Sequence, residues 1–384
     1  MPSAAAAGNL SLIFMLENCG FLNRVYFLII IIYPVSDKFL LIFIIFYEKS
    51  ENSIEIFFKL CYTKHMKSNR SQYADLYGDG GKRYFTLNHM LKQRFGCKVM
   101  KVALNVGFTC PNIDGAAGYG GCTYCSEGSG SFAGSPLMTV TEQYFEGRDR
   151  LRRKWGQGLY IPYFQAHSNT YAPLERIRAV VEEAAALPDV CGIALATRPD
   201  CINEENAAYL GSIAEKMYLS VELGLQTVHD KTAEHINRCH TYADFLKGYE
   251  LLRRQGVNVC VHIINGLPEE TPAMMLETAE KLSHLDINGI KFHMLHILKG
   301  TKMAKEYLSG GSELLTLEEY AGIVCSQIEL LPDSVCIERI TGDGAADELI
   351  APLWSKNKKS VMNEIDKEFR RRDSHQGINY RSCG

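Results

Sequence analysis

A chain of 384 residues with 46% hydrophobic and 22% charged side chains can bury a large core, which excludes a disordered or fibrous protein. Its formal charge of -3 gives no overall pull toward nucleic acid or membrane. The 13 cysteines, an odd number scattered through a large chain, fit intracellular thiols with a few used for metal, not a disulfide framework.

The first segment in chain order does not match the rest. Residues 1–65 carry two apolar runs, "VYFLIIIIYP" and "FLLIFIIFYE", separated by Pro34, Asp37 and Lys38. Each run is about nine residues, whereas a helix needs about twenty to cross a bilayer. A joined span would bury Asp37 and Lys38 near mid-membrane, which is costly. No basic start leads into one clean apolar stretch with a small-residue cleavage site, so the segment is also a poor signal peptide. The favoured expectation is an over-extended translation start, with Met66 the initiator; a membrane-associated hairpin and a disordered extension are the alternatives. The expected organisation is then 1–65 as a non-native or disordered extension, 66–311 as the core and 312–384 as a C-terminal extension.

From Met66 onward strands alternate with helices. "KVMKVALNV" (98–106) reads as a strand that runs into a glycine-rich loop with three cysteines. "LMTVTEQYFEGRDRLRRKW" reads as a helix, "LYIPYFQAH" as a strand, "PLERIRAVVEEAAAL" as a helix and "VCGIALATR" as a strand. "NEENAAYLGSIAEKM" is helical, "YLSVELGLQ" a strand, "YADFLKGYELLRRQG" helical and "VNVCVHIINGLP" a strand. "PAMMLETAEKLSHL" and "NGIKFHMLHIL" complete the series as helix and strand. Strands that are nearly continuous apolar runs, alternating with helices, predict an α/β fold with a parallel sheet covered by helices. Ligands bind such folds at the carboxyl ends of the strands, and every polar cluster of interest falls there. Beyond residue 312 the rhythm breaks: "TLEEYAGIVCSQIELLP" is a helix, "SVCIERIT" is strand-like, and "DGAADELIAPLW" follows.

The loop "GFTCPNIDGAAGYGGCTYCSEGSGSF" (107–132) holds Cys110, Cys122 and Cys125. Three thiolates could take zinc with a fourth ligand such as His167, or an iron–sulfur cluster with one iron left open. Structural zinc sites are closed by four ligands and usually come as two short pairs, and no second pair appears here. A three-cysteine cluster leaves one iron open to an outside ligand. Glycines at 118, 120, 121, 128 and 130 let the backbone wrap a bulky inorganic core. The chemistry favours a cluster over zinc, with unliganded buried thiols a poor third.

The loop resembles the cluster-binding motif of the radical S-adenosylmethionine (SAM) superfamily in a wide-spaced variant. "GFTCPNIDG", "GGCTYC", "YFQAHSNTY", "ATRPDC", "VELGLQTVHDKT", "INRCHTY" and "IINGLPEET" resemble the YhcC/YtqA-type radical SAM proteins, bacterial relatives of the Elongator catalytic subunit. The likeness runs from about Lys82 to Trp354 and beyond and covers none of 1–65. It implies a partial (β/α)6 TIM-like radical SAM barrel with a C-terminal α/β extension. Cys110, Cys122 and Cys125 would ligate three irons of a [4Fe-4S] cluster, and SAM would chelate the fourth and yield a 5'-deoxyadenosyl radical. Tyr124 stands where the superfamily places an aromatic against adenine. Gln165, Asn169 and Thr170 end the second strand, where related enzymes bind the methionyl amino group; a plain turn is the alternative. Gly266 and Pro268 resemble the fifth-strand element beside adenine.

Other candidates come from residue chemistry. Glu222 and Gln226 alternate on one face of an apolar strand, and burying them without a partner is costly, so ribose or carboxylate binding is favoured. Arg198 and Arg238 could each hold a carboxylate by a bidentate fork or serve in internal salt bridges. His293 and His296 sit near the sixth strand end, as substrate contacts or as satisfied core residues. Cys201 and Cys239 lie near the site; buried hydrophobes are the bland reading. "RDRLRRKW" (148–155), "KNKK" and "FRRR" are locally basic and could track a phosphate backbone or form solvated helix faces. The resemblance implies a transfer-RNA substrate, removal of the carboxymethyl part of 5-carboxymethylaminomethyluridine, a reductase or a flavodoxin- or ferredoxin-type electron donor, and a cytoplasmic protein without stable membrane association. A radical enzyme with a small-molecule or protein substrate, and a zinc-stabilised RNA-binding protein, are the alternatives.

Overall fold

The computed structural model describes residues 80–126, 133–311, 313–342 and 347–382, Tyr77, and four strands that precede them. The chain forms two compact units, Met1–Ala74 and Asp75–Gly384. In the first, β1 (Ser11–Met15), β2 (Phe27–Val35), β3 (Lys38–Glu48) and β4 (Ile54–Phe57) pair in that order as an antiparallel sheet. The two apolar runs are β2 and β3, in register from Phe27↔Phe46 to Val35↔Lys38. Met66, the expected initiator, lies outside the described residues. No helix among the described residues is long and apolar enough to cross a membrane.

The second unit is built on a seven-stranded sheet. Its strands are β5 (Val99–Leu104), β6 (Leu159–Phe164), β7 (Gly192–Thr197), β8 (Tyr218–Gln226), β9 (Asn258–Asn265), β10 (Gly289–Met294) and, after the short β11 (Ile297–Leu298), β12 (Cys336–Arg339). Neighbouring strands are parallel throughout, in the order β12-β10-β9-β8-β7-β6-β5. The sheet curls into a half-barrel. Lys101 of one edge strand and Glu338 of the other meet across the interior at 2.8 Å, and Thr86 bridges to Ile337.

Strand sequence sets the two faces. In β8, "YLSVELGLQ", Leu219, Val221, Leu223 and Leu225 are fully buried in the main core under the helices. The alternate residues, Tyr218, Ser220 and Glu222, face the barrel interior, because successive strand side chains point to opposite faces. Helices α2 (Val140–Trp155), α3 (Leu174–Ala185), α4 (Glu204–Ala214), α5 (Asp230–His235), α6 (Tyr242–Arg254) and α7 (Pro272–Ser283) connect the strands. Thr139 with Glu142 and Thr241 with Asp244 form capping boxes that fix where α2 and α6 begin. A helix absent from the sequence reading, α1 (Leu87–Phe95), packs Leu91 against Ile161, Tyr163, Ala194 and Tyr218 and so plugs the barrel at the strand N-termini. The opposite end stays open.

The C-terminal part supplies α8 (Lys302–Leu308), α9 (Leu317–Leu330), the strand β13 (Leu349–Ala351), which pairs with β11, and α10 (Lys358–Arg371). It also gives β12 to the barrel as the seventh strand, one more than the six expected. α9 packs on α7 and α10, with Tyr320, Val324 and Ile328 fully buried in the common core.

Candidate functional site

At the open end, a cavity of about 280 Å³ is lined by residues from the cysteine loop and from the ends of β6 to β10 and β12. Cys110, Cys122 and Cys125 share its wall with Tyr124, Gln165, Arg198, Glu222, Gln226 and Arg238. Nine of the residues expected from sequence thus meet in one place.

The loop is shaped by turns and clamped from outside. Cys110 O accepts from Ile113 N (2.8 Å), and Cys122 O accepts from Cys125 N (3.0 Å). Gly120 and Gly121 both take left-handed backbone, φ 76° and 71°, which only glycine adopts without strain, and so turn the chain into Cys122. Asn237 donates from Nδ2 to Tyr119 O (3.1 Å) and Gly121 O (2.7 Å), while Thr123 N donates to Ile236 O (2.9 Å). Asn112, fully buried, returns an Nδ2 bond to Asn237 O (2.5 Å) and reaches Cys122 Sγ at 3.6 Å. The segment between β8 and α6 therefore holds the loop in place. Gly128 and Gly130 lie outside the described residues.

The cysteine environment fits a metal cofactor. No described cysteine is in a disulfide. Burial pushes the Cys122 thiol up, and the Tyr124 hydroxyl, the Arg198 charge and the Asn112 amide oppose it. Asn112 Oδ1 and Thr123 Oγ1 are buried in the same loop without a partner among the described residues. Such orphaned polar atoms beside three thiols suit a loop built around a polar group. Among the described residues no three His, Cys, Asp or Glu side chains converge to hold a single metal ion. His167, the candidate fourth zinc ligand, lines the same cavity with left-handed backbone, φ 57°.

The two arginines spend their donors inside the protein. Arg198 forks onto Asp200 (Nε to Oδ1 2.9 Å, Nη2 to Oδ2 2.7 Å) and gives Nη1 to Arg238 O (2.8 Å). Arg238, 1% exposed, donates to the carbonyls of Leu225, Thr227 (2.6 Å) and His240 (2.7 and 3.0 Å). Both forks are occupied by the loops that frame the cavity. His240, buried beside them, is pushed down to about 3, first by burial and then by the two guanidinium charges.

Four expected residues lie elsewhere. Asn169 is 1% exposed and its amide donates to the carbonyls of Phe164, Ala166 and Ala196, which locks the turn after β6. Thr170 pairs with the Thr197 hydroxyl at 2.6 Å. Neither lines the cavity. Gly266 lines a separate, smaller cavity with Leu315 and Trp354, and Pro268 lines neither.

The cavity floor is a charged cluster that the sequence reading missed apart from Glu222. The Glu222 carboxylate, 0% exposed, accepts from Lys101 Nζ (2.8 Å), Tyr163 Oη (2.6 Å), His262 Nε2 (2.8 Å) and Lys291 Nζ. Lys101 also reaches Glu338 at 2.8 Å. Burial alone would raise the Glu222 carboxyl; the Lys101 and Lys291 charges and the His262 bond overturn that and hold it well below its ordinary range. Glu222 was expected to bind ribose or a ligand carboxylate, and its four donors all come from the barrel instead. The signal that exposes this cluster is a charged residue inside an apolar strand, as in "KVMKVALNV" and "NGIKFHM".

Comparisons with known proteins show the family. A family model described as the Radical SAM superfamily matches residues 115–282, and one described as the Radical_SAM C-terminal domain matches 287–371. "Uncharacterized protein YtqA" of Bacillus subtilis is 49% identical over 302 residues, covering 78% of this chain and 94% of its own. A tRNA uridine(34) acetyltransferase of Methanocaldococcus jannaschii is 24% identical over 176 residues, 45% of this chain and 31% of its own. The solved structure of archaeal Methanocaldococcus infernus Elp3 superposes with a TM-score of 0.56 at 16% identity, covering 72% of this chain and 64% of that one, just under two thirds. That likeness is one of fold.

Proposed function

The chain belongs to the radical SAM superfamily, in the family of YtqA, and from that premise we propose that it modifies a uridine of transfer RNA. It is a radical SAM enzyme, of a family that uses a [4Fe-4S] cluster and SAM. When bound, these supply hydrogen-abstracting one-electron chemistry. Cys110, Cys122 and Cys125 are the residues that would hold the cluster, with Asn112 and Tyr124 bonded to the Cys122 sulfur. Arg198 and Arg238 tie the surrounding loops together, and the Glu222 cluster forms the polar floor.

The observation that carries the reading is the cavity itself, lined by three thiols together with Glu222, His262 and Lys291. The transfer-RNA part is supported by the distant likeness to a tRNA uridine(34) acetyltransferase. Of the basic segments, "RRKW" ends α2 just before β6 begins, at the strand N-termini and opposite the open end. "FRRR" is largely neutralised: Arg371 and Arg372 both bond Glu368, at 2.6 and 2.7 Å. The proposed conversion removes the carboxymethyl part of 5-carboxymethylaminomethyluridine and leaves the 5-aminomethyl form.

The test compares nucleosides of transfer RNA from a strain lacking this gene with those of its parent by mass spectrometry. The deletion strain should accumulate the carboxymethylaminomethyl form and regain the parental profile only with the wild-type gene, not with Cys122→Ala. Identical profiles in deletion strain and parent would reject the RNA substrate.

A further inference from the structure

His293 stands on β10 in the cavity wall, directly beyond the Glu222 cluster. Its neighbours Phe292 and Met294 point into the outer core, so the strand fixes where the imidazole sits. Its Nε2 is buried and has no hydrogen-bond partner among the described residues. Leaving such an atom unsatisfied costs about 1–3 kcal/mol, and native proteins seldom do so without a reason.

The surroundings restrict what can satisfy it. The His262 ring lies 5.2 Å away, and its Nε2 donates to Glu222 at 2.8 Å, so the proton of that imidazole is already assigned. Lys291 Nζ is held by the same carboxylate. Burial first, and then His262, Arg339, Lys291 and His296, push His293 well below the ordinary imidazole range, so it is neutral at physiological pH. A neutral imidazole offers an uncharged substrate group a single directed bond. The Watson–Crick edge of uracil presents a carbonyl beside an N–H, so it serves either tautomer of the ring.

We propose that His293 Nε2 is the contact that reads the polar edge of the pyrimidine base in this cavity. The inference rests on the nucleobase substrate proposed above and goes further by assigning the residue that recognises it. His293 is in this sense a specificity-determining residue, and the Glu222–His262 pair beside it is its rigid support.

The test measures binding, not turnover. Cluster-loaded protein with SAM present is titrated with an anticodon stem–loop RNA carrying uridine at the wobble position, and with the same RNA abasic there. Wild type should prefer the uridine RNA by about tenfold, the worth of one buried hydrogen bond. His293→Gln, whose amide supplies a donor and an acceptor in place of Nε2, should preserve the preference. His293→Phe should lose it while binding the abasic RNA as wild type does. If His293→Phe keeps the tenfold preference, or loses affinity for both RNAs equally, the assignment of His293 is overturned and the RNA reading stands. If wild type itself fails to distinguish the two RNAs, the nucleobase reading falls and takes this inference with it.

Discussion

Replacing Glu222 with Gln probes the floor of the site most sharply. The carboxylate is fully buried, and the side chain of Lys291, its partner, is only 4% exposed. Lys101 retains Glu338 after the change, whereas Lys291 loses the one carboxylate that it contacts in the described structure. Removing one member of a buried pair costs about 3–5 kcal/mol, because the remaining charge must shed its proton or stay unpaired. At about 2 °C per kcal/mol for a domain of this size, the midpoint of thermal unfolding should fall by roughly 6–10 °C. The double variant Glu222→Gln/Lys291→Met removes both charges and should recover at least half of the loss. Circular dichroism melts of the three proteins at neutral pH decide the matter. A single variant that melts with wild type, or a double variant no better than the single, refutes the claim that a stranded ammonium carries the cost.

Other outcomes follow from the same geometry. The Glu222 carboxyl is held below its ordinary value of 4.5, so its contribution is complete above that value and is lost as pH falls through the lower folded value. Acid unfolding of Glu222→Gln should therefore begin from a lower plateau and fall less steeply below pH 4.5 than that of wild type, as followed by tryptophan fluorescence. A Cβ on Gly248 would stand 2.3 Å from the Pro199 carbonyl oxygen, a backbone atom that cannot swing away. Gly248→Ala should cost about 1–3 kcal/mol in urea unfolding. Arg238→Lys gives up the planar fork shared among Leu225, Thr227 and His240. The clamp on the cysteine loop loosens, and hydrogen exchange at Gly121 and Thr123 should quicken at least tenfold.

Much of this architecture was legible because burial writes itself into strand sequences. "YLSVELGLQ" spans the observed β8 from Tyr218 to Gln226, and the alternation of Glu222 and Gln226 in it correctly marks an inward face. The cysteine loop was legible through its spacing and glycines. What escaped is set by contacts distant in sequence. α1 has Leu91 as its one buried residue, so its periodicity is faint, and its role as a barrel plug depends on residues from β6, β7 and β8. β12 is four residues long, and nothing local says that it pairs with β10. Lys101 and Lys291 hide in apolar runs, where a lone charge looks like noise until its partner is placed opposite. Asn169 and Thr170 were expected at the cofactor from the family resemblance; their short side chains bond the carbonyls of Phe164, Ala166 and Ala196 and the hydroxyl of Thr197 on β7.

The function turns on what Cys110, Cys122 and Cys125 hold. Electron paramagnetic resonance of protein reconstituted without oxygen and reduced by one electron, recorded before and after SAM is added, addresses this directly. A radical SAM site should give a cluster signal that changes when SAM is added and that Cys122→Ala abolishes. A protein that carries zinc in place of iron, or a signal indifferent to SAM, contradicts it.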